Sequence, residues 1–166
     1  MFVNLIEKNA PKANDKNVIY FGPGVHEVSN LTIGDHKTVY VAGGAIIKAV
    51  IGKDEKYTTE PSGLRNYLPT IILAGKNIKF CGRGIIDASA CTTHARNIIA
   101  VCGVDISVEG LTLTNPSVCT LPISQGNRIN VNNIKIIGYR AKAMVLILAA
   151  AVMLQLRTAL LEQMII

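Results

Sequence analysis

The sequence predicts an all-β chain in which short parallel strands wind into a stacked coil, a parallel β-helix. Short apolar runs alternate with polar residues, and most of them are closed by Gly or Asn rather than by helix caps. One strand template recurs along the chain. Between Phe2 and Gly138 no segment has the pattern of a long amphipathic helix. Helix-based solenoids and βαβ units are therefore poor candidates.

The recurring template occurs four times, at intervals of roughly 23 to 39 residues that suit one supersecondary unit per repeat. Each copy is followed by a second strand: "AIIKA", "GIIDAS", "LTLTN" and "IKIIG". The longest interval contains a polar excursion, "GKDEKYTTEPSGLRNYLP". The equivalent positions are Val39, Val41 and Gly43 in "VYVAG", Ile78, Phe80 and Gly82 in "IKFCG", Ile106, Val108 and Gly110 in "ISVEG", and Ile129, Val131 and Asn133 in "INVNN".

Stacking of such coils gives the fold its core. Alternate inward residues would form aliphatic ladders between strands about 4.8 Å apart, while Gly and Asn supply the corner conformations. A single coil cannot bury its own apolar face, so several must stack. An antiparallel sandwich would also explain the strands, but two-residue turns of the Asn-Gly type are absent. We rank the parallel β-helix first.

Composition and charge narrow the function classes. The 166 residues suit one domain, and 49% hydrophobic with 17% charged residues argues against disorder. The net charge of +6 favours an anionic partner such as nucleic acid or an acidic polysaccharide. Because the Lys and Arg residues are scattered singly, we expect no nucleic-acid binding.

The N-terminus shows no signal-peptide pattern, so the protein is cytoplasmic or its true start is missing.

No residue is assigned a catalytic, cofactor-binding or metal-binding role. The four cysteines lack zinc-ligand spacing and are expected to be small buried thiols. The histidines suit surface or turn positions, and the remaining polar candidates suit turns or solvated surfaces. These residues are Cys81, Cys91, Cys102 and Cys119, then His26, His36 and His94, then Asp87, Asp105, Glu109, Arg83 and Lys48.

Several phrases together resemble a known family. They are "VIYFGPGVHEV", "TVYVAGGAIIKA", "IKFCGRGIIDAS", "ISVEGLTLTNPSVCTLPI" and "INVNNIKIIG", which cover most of Val18 to Gly138. As an ensemble they resemble the polygalacturonase-like glycoside hydrolases of family 28, in the pectin-degrading β-helix superfamily. The family often has an aromatic residue, commonly Trp, where this chain has Val118 and Cys119. The resemblance implies a right-handed parallel β-helix of the pectin-lyase-like type.

The resemblance also implies a chemistry and a partner. Similar enzymes hydrolyse pectin or a related acidic polysaccharide with inversion, need no cofactor, and are often secreted or periplasmic. One carboxylic acid protonates the leaving oxygen while a carboxylate, roughly 6.5 to 9.5 Å away, activates water. The family's first acidic motif, "NTDG" or "NSDG", should begin just after "IIGYR", but the chain continues "AKAMVLI". The expected catalytic aspartates are therefore absent from this chain.

The tail, residues 139–166, differs from the preceding residues 1–138, which we assign to a partial β-helix domain. It has no Gly, Asn, Asp or Pro and holds Met144, Met153 and Met164. Residues 142–147 can be encoded by AAA GCG ATG GTA TTG AT. Insertion of one pyrimidine after the first two bases changes the reading frame to AAY AGC GAT GGT ATT GAT, which encodes NSDGID. We interpret the tail as a one-base frameshift product. As translated, its good helix formers predict a helix over the open end of the coil.

The tail is not predicted to cross a membrane, because its apolar run from Ala143 to Leu154 is shorter than the roughly 20 residues that a span needs.

The leading hypothesis is a fragment of a polygalacturonase-like hydrolase, folded as an incomplete β-helix and inactive as translated. The alternative is a non-enzymatic β-solenoid that binds carbohydrate or mediates adhesion. A pectate-lyase-like calcium enzyme ranks third, because no Asp/Glu cluster occurs.

Overall fold

The computed structural model of the chain describes residues 10–138, 140, 144–149 and 154–163. Every regular element in these residues is a β-strand. Among them no helix is present that could span a bilayer. The strands are β1 (Val18–Phe21), β2 (Gly24–Val28), β3 (Leu31–Ile33), β4 (Thr38–Val41), β5 (Ala45–Ala49), β6 (Tyr57–Thr59), β7 (Arg65–Tyr67), β8 (Ile71–Gly82), β9 (Ile85–Asp87), β10 (Ile99–Glu109), β11 (Thr112–Thr114), β12 (Cys119–Ser124), β13 (Asn127–Gly138), β14 (Met144–Ala149) and β15 (Leu154–Gln163).

Thirteen of these strands form one parallel sheet that coils on itself, and β6 and β7 form a separate hairpin. The coil has three faces, each a ladder of parallel pairs. The first ladder runs β1-β4-β8-β10-β13-β15. The second runs β2-β5-β9-β11-β13. The third runs β3-β8-β10-β12-β14, and the arrangement confirms the predicted parallel β-helix.

Inward-facing aliphatic residues form the core of the coil. On the second ladder Ile47, Ile86, Leu113 and Ile136 stand in register and are at most 6% exposed. The first and third ladders contribute similar stacks, so that each coil covers the apolar face of its neighbour. At about 25 cal/mol per Å² of apolar surface, burial of this kind is the main favourable term in folding. The stacking predicted from the template is therefore the structural basis of the core.

The predicted register is correct for three of the four template copies. Ile78 pairs with Ile106, and Ile106 pairs with Ile129. The alignment of Val39 with Ile78 was wrong, because Val39 lies opposite Phe80 instead. The error is a shift of two residues. Since side chains alternate with a period of two, such a shift leaves the same residues pointing inward, and the hydrophobic pattern cannot detect it.

β8 and β10 pass from the third ladder to the first through a sharp corner, and the chain turns the same corner between β12, on the third ladder, and β13, on the first. Asn77, Asp105 and Arg128 stand at this corner with φ of 55°, 57° and 55°. Residues in the left-handed region are uncommon except for Gly, Asn and Asp, so the repeated conformation marks a fixed bend. The guanidinium of Arg128 forms a two-point ion pair with Asp105, with both N–O distances 2.5 Å.

The predicted helix in the tail was wrong for the described residues. β14 lies parallel to β12, with Leu146 opposite Leu121, and β15 lies parallel to β13, with Leu156 opposite Val131. The exposed edge of a sheet presents a row of unpaired N–H and C=O groups to any chain beside it. Pairing with that edge satisfies the backbone of the tail, and it overrides a helix propensity of a few tenths of a kcal/mol per residue.

Candidate functional site

The polar excursion between β5 and β8 forms a hairpin that stands out from the coil. β6 and β7 pair antiparallel, with Tyr57 opposite Tyr67. The hairpin and the neighbouring wall of the coil enclose a cleft of about 450 Å³, a volume within the range of small-molecule sites. The cleft is lined by residues 56–58 and 66–69 together with Asn97. We take it as the candidate functional site.

Two aromatic rings form one wall of the cleft. The ring centroids of Tyr57 and Tyr67 are 5.5 Å apart, and the ring planes are inclined by 54°. The guanidinium carbon of Arg65 lies 4.6 Å from the centroid of the Tyr57 ring, at cation–π distance. Tyr57 is 46% exposed, whereas Tyr67 packs against the main core. In this wall the Tyr57 ring is therefore accessible to a ligand, and the Tyr67 ring is held in place by the core.

Arg96 holds the excursion against the coil. Its side chain is fully buried and forms an ion pair with Glu55 at the start of the excursion. The same guanidinium donates to the carbonyl oxygens of Ser29 and Val50, the latter at 3.1 Å. Its carbon lies 5.5 Å from the centroid of the Tyr67 ring. Arg96 thus ties two turns of the coil, the start of the excursion and its second strand together.

The other carboxylate oxygen of Glu55 accepts a hydrogen bond from the backbone N–H of Gly52 at 3.0 Å. Because Glu55 is bound on both sides, the first residues of the excursion are held in one conformation. At the other end, the N–H of Tyr67 donates to the carbonyl of Ala95 at 2.8 Å. Both ends of the hairpin are therefore hydrogen-bonded to the coil.

Asn97 connects the cleft to the third ladder. Its backbone carbonyl accepts a hydrogen bond from the N–H of Thr70 at 3.0 Å, and its side-chain oxygen accepts from the N–H of Cys119 at 3.1 Å. In the next coil Cys119 stands opposite Met144, the first residue of β14. The cleft therefore lies beside the N-terminal ends of the third-ladder strands, at the level of β10 and two coils before β14.

Asp87, predicted to be a turn residue, is the last residue of β9, where it is held as a structural carboxylate. Its oxygens accept hydrogen bonds from Thr114 Oγ1 at 2.9 Å, from Asn115 Nδ2 at 2.8 Å and from both the N–H and the hydroxyl of Ser89. Partial burial raises the pKa of Asp87, but the hydrogen bonds from Ser89, Asn115 and Thr114 outweigh it and hold the pKa below its ordinary value. A carboxyl group that stays ionised is poorly suited to act as a general acid.

The histidines are only partly as predicted. His36 and His94 occupy turns with φ of 57° and 64°. His26 instead lies within β2, where its Nε2 is 2.7 Å from the carbonyl oxygen of Gly22 and its ring meets Phe21 edge to face. The turn assignment of His26 was therefore wrong. Alternation along β2 turns this side chain toward a partly buried environment.

The remaining polar candidates lie apart from the cleft. Lys48 forms an exposed ion pair with Glu27 at 3.9 Å. Asp105 is exposed and paired with Arg128, and the hydrogen bonds from Arg128 hold the pKa of Asp105 below its ordinary value. Glu109 is half-buried rather than solvated, and it accepts a hydrogen bond from Asn132 at 3.4 Å. Arg83 is also half-buried.

The cysteines are free thiols in the structure. Cys81, Cys91 and Cys119 are buried as predicted, whereas Cys102 is half-buried. Burial raises the pKa of the Cys91 thiol, although Arg96 and Arg140 act in the opposite direction, and burial also raises the pKa of Cys119. In the described residues no group of three His, Cys, Asp or Glu side chains could hold a metal ion.

The tyrosine cleft was not predicted from the sequence, in which the excursion was interpreted only as an interruption of the repeat. A signal was present in the composition. Aromatic residues make up only 5% of the chain, yet two of its five tyrosines lie within this one polar segment, next to Lys56 and Arg65. Exposed aromatic residues among polar ones are typical of binding surfaces.

Comparison with known proteins identifies the fold. No protein-family model matches the chain, and no curated protein matches it. Among solved structures, a family 28 exopolygalacturonase from Yersinia enterocolitica superimposes with a TM-score of 0.59 at 12% identity over 74% of this chain. A candidate glycosyl hydrolase from Parabacteroides merdae superimposes with a TM-score of 0.60 at 14% identity over 87% of this chain.

The right-handed parallel β-helix fold is thereby confirmed. The chain spans about a third of the exopolygalacturonase, 34% of its length, and 80% of the Parabacteroides protein. At these identities the similarity establishes a shared fold with proteins of the glycoside hydrolase type.

Proposed function

We propose that this chain is part of a polygalacturonase-like glycoside hydrolase, which cleaves O-glycosyl bonds in pectin or a related acidic polysaccharide with inversion. One observation carries the proposal: the phrases that resemble the family form consecutive coils of the solenoid. "TVYVAGGAIIKA" contributes β4 and β5, "IKFCGRGIIDAS" the end of β8 and β9, and "INVNNIKIIG" most of β13. Their order and stacking support a family resemblance that no single phrase would carry.

The proposed catalytic position lies on the third ladder. The resemblance places the first acidic motif at residues 142–147, and β14 begins at Met144 opposite Cys119. Carboxylates on adjacent coils, about 4.8 Å apart and offset along the strand by a residue or two, would reach the 6.5 to 9.5 Å that an inverting pair requires. In this chain Met144 and Ile147 occupy the two Asp positions of this first motif, and the partner carboxylate is expected one coil later. We therefore expect the 166-residue chain to be inactive.

The frameshift interpretation explains why an otherwise family-like chain lacks these carboxylates. Sequencing the gene on both sides of the Arg140 codon tests it. We expect the codons for 142–147 to encode NSDGID after restoration of one base, and a second acidic motif to follow about one coil later in the same frame. Codons that cannot give NSDGID in another frame would contradict the interpretation.

Activity is measured on two proteins, the chain as translated and the product of the frame-restored gene. The first should release no reducing ends from polygalacturonate above a buffer blank, and the second should release them. Reducing ends from the 166-residue chain would refute its proposed inactivity. An inactive but folded frame-restored enzyme would refute the proposed hydrolase function.

The alternative, a non-enzymatic β-solenoid that binds carbohydrate, is favoured by one observation, the aromatic cleft at Tyr57 and Tyr67. A module of this kind should unfold cooperatively as a monomer and bind a glycan. The fragment of an enzyme should instead associate through the edge of its last coil. Sedimentation velocity over a range of protein concentrations distinguishes the two.

A further inference from the structure

We propose that the cleft at the β6–β7 hairpin is a binding subsite for an anionic oligosaccharide, separate from the position of the acidic motif. The inference deepens the proposed function, on which it rests for the class of polymer. It is tested by binding rather than by hydrolysis. The two can therefore fail independently.

The aromatic wall supplies the surface that a sugar ring requires. Tyr57 is nearly half exposed although its ring is apolar, and Tyr67 holds a second ring 5.5 Å away, centroid to centroid. The C–H groups on one face of a pyranose pack against such rings, and the phenol hydroxyls are available to the sugar hydroxyls. Leu68 extends the apolar surface of the cleft and is 57% exposed.

The charges around the cleft favour an anion. Lys56 is the charged residue among those that line it, and Arg65 lies against the Tyr57 ring. Glu55, the nearest carboxylate along the chain, is neutralised by its ion pair with Arg96 and faces the coil. In the part of the chain that the structure describes, neither Lys56 nor Arg65 forms an ion pair. The cleft therefore presents positive charge beside its aromatic wall, an arrangement that suits a uronate sugar better than a neutral one.

The site is held in position before any ligand binds. Arg96 and Gly52 fix Glu55, and the backbone bond from Tyr67 to Ala95 fixes the second strand. Asn97, which also lines the cleft, is held by the hydrogen bond that its side-chain oxygen accepts from the N–H of Cys119. Because these residues need no ordering on binding, little conformational entropy is lost.

The location of the cleft gives the subsite a role. Asn97 and Met144 are separated by two coil steps along the third ladder, roughly 10 Å at about 4.8 Å per step. A short oligosaccharide bound against Tyr57 and Tyr67 would extend from there toward the acidic motif expected at 142–147. The hairpin would thus position the polymer without taking part in bond cleavage.

Binding of polygalacturonate to the 166-residue chain, measured by isothermal titration calorimetry, tests the proposal. Tyr57→Ala should weaken binding roughly tenfold, as expected for loss of an aromatic anchor, whereas Tyr57→Phe should retain most of the affinity. Tyr20→Ala is the matched control, since Tyr20 is also a partly exposed, paired tyrosine but lies on the first ladder.

The charge of the cleft is tested by Lys56→Gln, which should weaken binding and reduce the salt dependence of the affinity. The matched control is Lys79→Gln, at an exposed lysine on the first ladder, which should have a smaller effect on both.

Methyl-esterified polygalacturonate, which keeps the sugar backbone but lacks its charge, should bind more weakly than the acid form. Equal affinity for the two polymers would overturn the anionic assignment. Equal loss of affinity in Tyr57→Ala and Tyr20→Ala, or in Lys56→Gln and Lys79→Gln, would overturn the site. Tyrosine-dependent binding by the chain, combined with an inactive frame-restored enzyme, would uphold the subsite and reject the hydrolase.

Discussion

The buried guanidinium of Arg96 lies 5.5 Å from the ring of Tyr67 while it forms an ion pair with Glu55. This one side chain therefore joins the hydrophobic core of the solenoid to the wall of the candidate cleft. The ion pair is almost completely desolvated, with side-chain exposures of 0% and 13%. Removal of one partner from such a pair leaves a buried charge without compensation.

We therefore expect Arg96→Met to destabilise the protein by about 3 to 5 kcal/mol, because Glu55 and the carbonyls of Ser29 and Val50 lose their donor. Urea denaturation gives the free energy of unfolding. Arg65→Met, which removes a guanidinium from the hairpin surface, serves as the control and should change the free energy of unfolding by less than about 1 kcal/mol. Equal effects of the two substitutions would contradict the anchoring role of Arg96.

The stacking of coils makes a second prediction, at a glycine. Gly103 has φ of 157°, and a Cβ placed there would lie 2.1 Å from the carbonyl oxygen of Gly75 in the preceding coil. Gly103→Ala must push two coils apart and should cost more than about 2 kcal/mol in the free energy of unfolding. Gly34→Ala is the matched control, because a Cβ at Gly34 meets nothing within 4 Å. A melting temperature equally unaffected by both changes would contradict the close approach.

Much of the fold could be predicted from the sequence because alternation and glycine corners are local signals. The pairing of Ile78, Ile106 and Ile129 follows from their repeated surroundings. The register of Val39 could not be obtained in this way, because it depends on the long hairpin excursion and a period-two pattern tolerates a shift of two. The strands in the tail form because β12 and β13 present a sheet edge to them. The helix propensity of the tail residues carries no information about that edge.

The candidate site was less predictable than the fold, for a physical reason. A binding cleft is made by residues distant in sequence, and the contact between Arg96 and Glu55 spans 41 residues. Neither residue belongs to a motif. The tyrosines alone were visible, and their significance required the structure to show that Arg96 fixes the hairpin beside Asn97.

Asp87 predicts a dependence of stability on pH. Its pKa in the folded protein is below its ordinary value of about 3.9, because the hydrogen bonds from Ser89, Asn115 and Thr114 favour the carboxylate over the effect of burial. A group with a lowered folded-state pKa stabilises the protein at pH values above its unfolded-state pKa. That stabilisation is lost as the pH falls through the folded-state pKa.

Asp87→Asn should consequently lower the free energy of unfolding by roughly 1 to 2 kcal/mol at neutral pH, since hydrogen bonds to a charged group are replaced by weaker ones. The difference between variant and parent should shrink as the pH falls below about 4, where the parent also loses the carboxylate. Urea denaturation at a series of pH values measures it, with Asp54→Asn as an exposed control. A difference that stays constant from neutral pH to pH values below about 3 would contradict this prediction. It would mean that the hydrogen bonds stabilise the protein equally whether Asp87 is ionised or protonated.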